Sequence, residues 1–287
     1  YAAPPVRDLR FQKPRPPQKW AGIRDATEYG PACMSNSSTT TSPQKWIDED
    51  CLHVNIFAGV DCLVSEKACP VVFYIHGGGF NYDSAVMFND EFLINNFGGN
   101  DVVLVIPGVR LGFFGLLNFG DEDVVPTNIA AYDLIAALQF VQKDIKLFGG
   151  NPDDVTLFGH SQGATTVAQF IFSKEIDPSR KLKENVQVYL YSYRNPRRPY
   201  HVDDLSYIMG IHPFDYDEND KVLAVVYPQF FIDFIKTAKP REGTFPFCYV
   251  NFLYSECRPT TTSVVSIPRY IPMKVQPQFS CASVHES

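Results

Sequence analysis

The segment Val155–Ala164 decides the fold, and it reads V-T-L-F-G-H-S-Q-G-A. It begins with β-branched and apolar residues, and Ser161 then stands at the centre of Gly159-x-Ser161-x-Gly163, before a helix-compatible stretch from Thr165 to Phe172. A strand, a sharp turn and a helix in this order are typical of a nucleophile elbow, whose glycines make room for an exposed serine hydroxyl. The pattern therefore predicts a catalytic serine at position 161, with an ordinary loop serine as the alternative.

A glycine triplet follows an earlier predicted strand. Val71–Ile75 is a continuous apolar run, typical of a strand that is buried on both faces of a parallel sheet, and it leads into His76-Gly77-Gly78-Gly79-Phe80. Three consecutive glycines form either a flexible turn or a backbone whose N–H groups approach the developing oxyanion of a substrate. We favour the second interpretation, because an HGGG element is the usual partner of the G-x-S-x-G turn.

The remaining pattern alternates strands with helices. The further predicted elements are strands at Val102–Ile106 and Val186–Tyr193, and helices at Met87–Phe97, at Asn128–Phe148 with Asn128 as its cap, and at Val222–Ala238 with an interruption near Pro228. This alternation predicts an α/β fold with a mostly parallel central sheet and helices on both faces. From Thr260 onward we expect little regular structure.

Composition limits the function classes. The 287 residues, of which 45% are hydrophobic, suffice for one large α/β domain or two small ones. The formal net charge of −7 argues against nucleic-acid binding. No apolar run reaches the length of about 18 residues that a transmembrane helix needs, so we expect no transmembrane segment. The aromatic residues of the Asn128–Phe148 helix are interpreted as core, and we expect neither a cofactor nor a metal ion.

Cysteine usage indicates an oxidising compartment. The chain has seven cysteines, an odd number that leaves at least one unpaired. Cys33 and Cys51 bracket a polar loop that a disulfide would close, and the Asn36-Ser37-Ser38 sequon in that loop is a candidate glycosylation site. The chain begins at Tyr1, so we expect a preceding segment in the gene product. We predict a secreted protein or one of the secretory-pathway lumen.

Several short motifs carry a resemblance to a known family. They are Trp20–Gly22, Tyr29–Cys33, Glu49–Leu52, His76–Phe80, Arg110–Phe113, Asn128 with Asp133, Phe148–Pro152, the elbow, His201–Leu205 and Phe234–Pro240. In this order they resemble the type-B carboxylesterase and cholinesterase family of α/β-hydrolases. The resemblance covers roughly residues 11–173 and 186–240.

The resemblance implies a role for each matching residue. Ser161 would be the nucleophile, and His201 its general base and later general acid. The backbone N–H groups of Gly78, Gly79 and Gln162 would form the oxyanion hole. The substrate would be a small-molecule carboxylic ester, and the cysteine pair at 33 and 51 would match the family's first disulfide.

The chain departs from the family in two places. The family usually has Glu-Ser-Ala at the elbow, where this chain has His160-Ser161-Gln162. Only 40 positions (201 − 161) separate Ser161 from His201, whereas the family has a much longer block that holds its triad carboxylate. The acidic residues in the short remainder are Glu175, Asp177 and Glu184, and none stands in the family's sequence context, so no triad acid is assigned.

The shortening also affects the sheet. Either Val188–Tyr193 moves into the empty position beside the serine-bearing strand, or that strand has an open edge. The first arrangement would bring His201 to the same end of the sheet as Ser161.

We therefore predict a single hydrolase domain over residues 1–250, shortened near 174–186, and a Pro/Ser/Thr-rich extension over 251–287. The predicted function is carboxylic ester hydrolysis through an acyl-enzyme, impaired by the missing acid. The alternatives are a catalytically inactive extracellular binding or adhesion protein and a non-functional truncated product. The oligomeric state is not predicted.

Overall fold

The computed structural model describes residues 1–35, 47–170, 173, 176, 189–192, 201–212, 214–239 and 263–267, and for 189–192 and 263–267 it describes the backbone. The sequon at Asn36 lies outside these residues. Glu175, Asp177 and Glu184, the acidic residues between the serine and the histidine, also lie outside them. The glycosylation site and the triad acid therefore remain predictions.

A six-stranded sheet forms the centre of the fold. Its strands in spatial order are β3 (Val54–Phe57), β5 (Val103–Pro107), β4 (Cys69–Ile75), β6 (Gly150–His160), β8 (Ser263–Ile267) and β7 (Tyr189–Ser192). Strand β4 pairs in parallel with both β5 and β6. The β3–β5, β6–β8 and β8–β7 pairings are antiparallel. The sheet is thus parallel at its centre and antiparallel towards its edges. Two short strands, β1 (Ala32–Cys33) and β2 (Ile47–Asp48), pair separately.

Helices cover both faces of the sheet. They are α1 (Val60–Val64), α2 (Asp90–Asn96), α3 (Gly112–Leu116), α4 (Ile129–Asp144), α5 (Gln162–Phe170), α6 (Asp203–Ile208) and α7 (Glu218–Thr237). Side chains of a strand alternate between the two faces, so β4 contributes to two cores. Tyr74 packs in a cluster with Phe231 of α7, whereas Phe73 packs in a second cluster with Leu134 of α4 and Val167 of α5. This arrangement confirms the predicted α/β-hydrolase fold with helices on both faces. The sheet is mixed rather than mostly parallel as predicted, because two of its five described pairings are parallel and three are antiparallel.

Two helix predictions need correction. Asn128 precedes α4 in a left-handed conformation (φ 55°), which asparagine tolerates, and its side chain makes no capping hydrogen bond. The helix α4 ends at Asp144, and a 3₁₀ turn continues to Phe148.

The predicted interruption near Pro228 is absent, because α7 runs through it from Glu218 to Thr237. A proline inside a helix costs about 3 kcal/mol. Burial of Phe231 and Phe234, each contributing about 1.5–3 kcal/mol, offsets this cost. Asp217 also begins the helix with a capping box, in which it accepts from the backbone N–H of Asp220 at 2.9 Å.

Neither alternative for the position beside the serine-bearing strand holds, because the position is occupied but the strand in it is not β7 (Tyr189–Ser192). Strand β8 pairs with β6 there, and β7 forms the edge beyond β8. The expectation of little regular structure after Thr260 is therefore wrong for Ser263–Ile267. Because β8 is antiparallel to both neighbours, β7 runs in the same direction as β6 and ends at the same edge of the sheet as Ser161. The strand that precedes His201 in the sequence therefore ends at the same edge of the sheet as Ser161, although β8 lies between β7 and β6.

Two disulfides close loops in the first quarter of the chain. Cys33–Cys51 is the predicted pair. Cys62–Cys69 joins α1 to the start of β4 and was not predicted, although the two cysteines flank a short segment before a buried strand. Both are compatible with folding in an oxidising compartment.

Candidate active site

Ser161 lies in the turn between β6 and α5. Its φ of 54° places a non-glycine residue in the left-handed region, a conformation that costs roughly 1–3 kcal/mol and persists where the surroundings impose it. The surroundings here are tight, because a Cβ atom at Gly163 would lie 2.1 Å from the carbonyl oxygen of Ile75. The absence of a side chain at position 163 therefore lets the turn pack on the end of β4, where the glycine triplet begins.

The glycine triplet passes directly beside the serine. A Cβ atom at Gly77 would lie 3.2 Å from the Cβ of Ser161. Gly78 has a φ of 105°, which a residue with a side chain rarely adopts. The Phe80 N–H donates to the side-chain Oε1 of Gln162 at 3.0 Å, so a hydrogen bond joins the triplet to the elbow. Gly78, Gly79 and Gln162, predicted as one group, therefore belong to two segments that contact each other around Ser161.

His201 belongs to a third segment, and its side chain contacts Ser161. It lies in a turn before α6, it is exposed, and its Nε2 is 2.8 Å from the Oγ of Ser161. If Nε2 accepts the hydroxyl proton, the ring must carry its own proton on Nδ1. The two residues that the sequence placed 40 positions apart are thus within hydrogen-bonding distance.

In the described part of the chain, no carboxylate forms an ion pair with His201. The nearest acidic residues along the chain are Asp203 and Asp204, at the start of α6, and both are buried. Asp204 accepts a hydrogen bond from the Leu205 N–H at 3.1 Å, and burial raises its pKa to about 7. Asp204 therefore belongs to the packing of the α6 segment that follows His201.

Replacement of Asp204 by asparagine is expected to remove a pH dependence of stability. The raised pKa means that the folded protein holds the Asp204 proton more tightly than the unfolded chain does, so this stabilisation is present at low pH and is lost as the pH rises through about 7. The free energy of unfolding of the wild type relative to D204N should fall by about 1.4 kcal/mol per pH unit between about pH 4 and pH 7.

Urea unfolding between pH 4.5 and pH 8 measures this difference. The buried His160 contributes a pH dependence of the opposite sign, but it is present in both proteins and cancels in the comparison. Glu218→Gln, at an exposed position, should give a curve parallel to that of the wild type. Parallel curves for D204N as well would contradict the prediction.

The sequence did not predict the contact of His160 with His201 or the hydrogen bond from Phe80 to the Gln162 side chain. His160 is 2% exposed, and its Nε2 lies 3.1 Å from the backbone carbonyl oxygen of His201. Burial and, second, the neighbouring His201 lower the pKa of His160 to about 4. The only signal in the sequence was the departure from the family at the two positions that flank Ser161.

The described residues contain neither a membrane-spanning helix nor a cluster of metal ligands. No described helix combines the length and the apolar character that crossing a membrane requires. Within the described ranges, no group of three or more histidine, cysteine or acidic side chains is arranged to hold a metal ion.

Comparisons with known proteins identify related esterases. Gut esterase 1 of Caenorhabditis briggsae is 36% identical over 173 residues, which cover 60% of this chain and 30% of that protein. Carboxylesterase 5A of Canis lupus familiaris is 38% identical over 182 residues, covering 60% of this chain and 31% of that protein. The chain thus spans about a third of the length of these curated relatives.

Solved structures give the same result. A thermophilic PNB esterase superposes with a TM-score of 0.56 at 33% identity, covering 61% of this chain and 36% of that one. Juvenile hormone esterase from Manduca sexta gives a TM-score of 0.55 at 32% identity, covering 61% of this chain and 33% of that one.

The family model named "Carboxylesterase family" matches residues 1–178. The match contains the glycine triplet and Ser161 but ends before His201. It spans more than half of the sequence, together with strands β1 to β6 and the elbow. The chain therefore belongs to the carboxylesterase family of α/β-hydrolases.

Proposed function

We propose that this protein hydrolyses small-molecule carboxylic esters, with Ser161 as nucleophile and His201 as general base and general acid. The observation that carries the proposal is the 2.8 Å distance between Ser161 Oγ and His201 Nε2. This is hydrogen-bonding distance for proton transfer, and an adjacent base is what activates a serine hydroxyl at neutral pH.

The proposed reaction follows from these contacts. Ser161 Oγ forms a bond to the ester carbonyl carbon while its proton passes to His201 Nε2, and the carbonyl π electrons move to the oxygen. When the tetrahedral intermediate collapses, the carbon–alkoxide bond breaks, and the alkoxide takes the proton from His201. Water then repeats the two steps on the acyl-serine ester, which releases the carboxylic acid and restores the serine hydroxyl.

The backbone N–H groups of Gly78, Gly79 and Gln162 are proposed to stabilise the oxyanion. The support is the proximity of the glycine triplet to Ser161 and the hydrogen bond from Phe80 to the Gln162 side chain. Preorganised donors of this kind are worth about 10²–10³ in kcat for each donor. The relatives are named as an esterase and a carboxylesterase, which supports the same reaction class.

A secretory location is part of the proposal. The two disulfides in the described part of the chain favour an oxidising compartment. The predicted sequon at Asn36 would be consistent with this location.

Covalent labelling of Ser161 by a fluorophosphonate probe is the expected outcome of the direct test. The probe reports on an activated serine beside an oxyanion site, so it needs neither a known ester nor full turnover. Mass spectrometry of the treated full chain should locate the adduct on Ser161, and Ser161→Ala should abolish it. Absence of an adduct in a sample that unfolds cooperatively would reject the hydrolase and favour the binding protein.

A further inference from the structure

His160 contacts the backbone of the proposed base from the residue that precedes the nucleophile. It is the last residue of β6, its side chain is buried, and its Nε2 lies 3.1 Å from the carbonyl oxygen of His201. The two imidazole rings lie 5.0 Å apart between centroids and are tilted by 45°. Two contacts therefore link His201 to the elbow: its side chain contacts Ser161, and its backbone contacts His160.

The chemistry of this contact fixes the proton on His160. A carbonyl oxygen only accepts hydrogen bonds, so the contact exists when Nε2 carries the proton. Since burial and His201 lower the pKa of His160 to about 4, the ring is neutral near pH 7 and has a single N–H. Asp83 is the acidic group that acts on it electrostatically in the opposite sense, by raising this pKa. His160 is thus a neutral donor with one fixed acceptor rather than a second base.

The need for such a donor follows from the surroundings of His201. His201 is exposed, and none of the carboxylates that the structure describes forms an ion pair with it. A general base is effective only while its nitrogen stays in line with the serine hydroxyl, and a displacement of about 1 Å costs roughly 10²-fold in rate. Glutamate, the residue that the family usually has before the serine, would offer no proton to the His201 carbonyl when ionised.

We propose that His160 is a positioning residue that holds His201 over Ser161 through an Nε2–H···O=C hydrogen bond to the His201 backbone. This role rests on the proposed function of the Ser161–His201 pair. His160 does not touch the reacting atoms; it acts through His201. Its removal should therefore lower the rate of the steps that use His201 and leave substrate binding nearly unchanged.

A matched pair of variants tests this role in the full chain. In H160Q the amide Nε2 can take the place of the imidazole Nε2 and donate to the same carbonyl, whereas H160M has a side chain of similar length and no N–H. We expect H160M to lower kcat on a short-chain nitrophenyl ester, and the fluorophosphonate labelling rate of Ser161, by about 10–100-fold with KM changed less than threefold. H160Q should stay within about threefold of the wild type.

The double variant H160M/H201A separates positioning from a general structural effect. If His160 acts only through His201, H160M should have no further effect on labelling once His201 is alanine. Additive losses would overturn the proposal, as would equal losses in H160Q and H160M or no loss in either. Thermal unfolding of each variant gives the folded fraction to which rates are normalised.

Ring ¹⁵N chemical shifts provide a readout that does not depend on catalysis. At pH 7 the His160 ring should be neutral with the proton on Nε2, and His201 ring signals should shift in H160M but not in H160Q. An Nδ1–H tautomer of His160, or His201 signals unaffected by H160M, would overturn the proposal. If the wild type fails to label, the proposed function fails, and this measurement still decides whether His160 holds His201.

Discussion

Asp133→Ala is expected to lower the free energy of unfolding by about 3–5 kcal/mol, the largest loss of stability that we predict for a single substitution. Asp133 on α4 is fully buried, and its carboxylate accepts from Nε and Nη2 of Arg110 at 2.8 and 2.6 Å. It also accepts from the Arg110 backbone N–H at 3.2 Å. Removal of the carboxylate leaves a guanidinium that is 3% exposed without its counter-charge.

The same physics predicts a partial rescue. The double variant D133A/R110M removes both buried charges, so it should be more stable than D133A alone even though it has lost one more native residue. An exposed pair provides the control, because Glu218→Ala breaks the ion pair with Lys221 at the surface and should cost less than about 1 kcal/mol. Urea unfolding measures all three. A loss below 1 kcal/mol for D133A would show that the buried pair does not stabilise the fold.

The parts of the fold that the sequence predicted are those specified by local sequence patterns. The strand at Val71–Ile75 and the elbow at Val155–Ala164 are specified by residues adjacent in sequence, through apolar runs and glycines at fixed positions. The structure places strands β4 and β6 there. The cysteine pair at 33 and 51 closes one short loop, which is again a local relation.

Features that depend on distant segments were not predictable in this way. Ser263–Ile267 has no strong period, and it becomes strand β8 by pairing with β6, whose edge would otherwise be open. Pro228 indicated an interruption, but apolar packing of α7 on the sheet outweighs a local preference. In both cases tertiary contacts, which a single-sequence pattern does not contain, decide the outcome.

In the candidate site, too, local motifs were predictable and contacts between distant segments were not. Ser161, His201 and the glycines follow from motifs, because each motif specifies a backbone shape together with a side chain. The contacts of His160 with His201 and of Phe80 with Gln162 join residues 41 and 82 positions apart. No spacing rule connects such pairs, so only the folded arrangement identifies them.

The wild-type chain is expected to hydrolyse a short-chain nitrophenyl ester faster than water does, but with a kcat about 10³–10⁴ below that of a full-length relative. A triad carboxylate holds the histidine tautomer and stabilises the imidazolium, and its change to an amide lowers kcat of a serine protease by about 10⁴. In the described residues His201 contacts Ser161 but forms no ion pair with a carboxylate. Initial rates of the two enzymes measure the difference. Both are compared at the same active-site concentration, which titration with the fluorophosphonate probe determines.

His201→Ala should lower kcat further, by about 10²-fold, which is the lower end of what a positioned general base contributes. The contact between His201 and Ser161 does not require Val188–Tyr193 to lie beside the serine-bearing strand, because the 2.8 Å distance is present although β8 occupies that position. His212→Ala is the matched control, because that histidine contacts neither Ser161 nor His201 among the described residues and should keep the wild-type rate.

A wild-type kcat equal to that of a full-length relative would disprove the prediction that the triad carboxylate is missing. Glu175→Gln, Asp177→Asn and Glu184→Gln would then identify its replacement, since only the variant of the true acid should show the loss of about 10⁴.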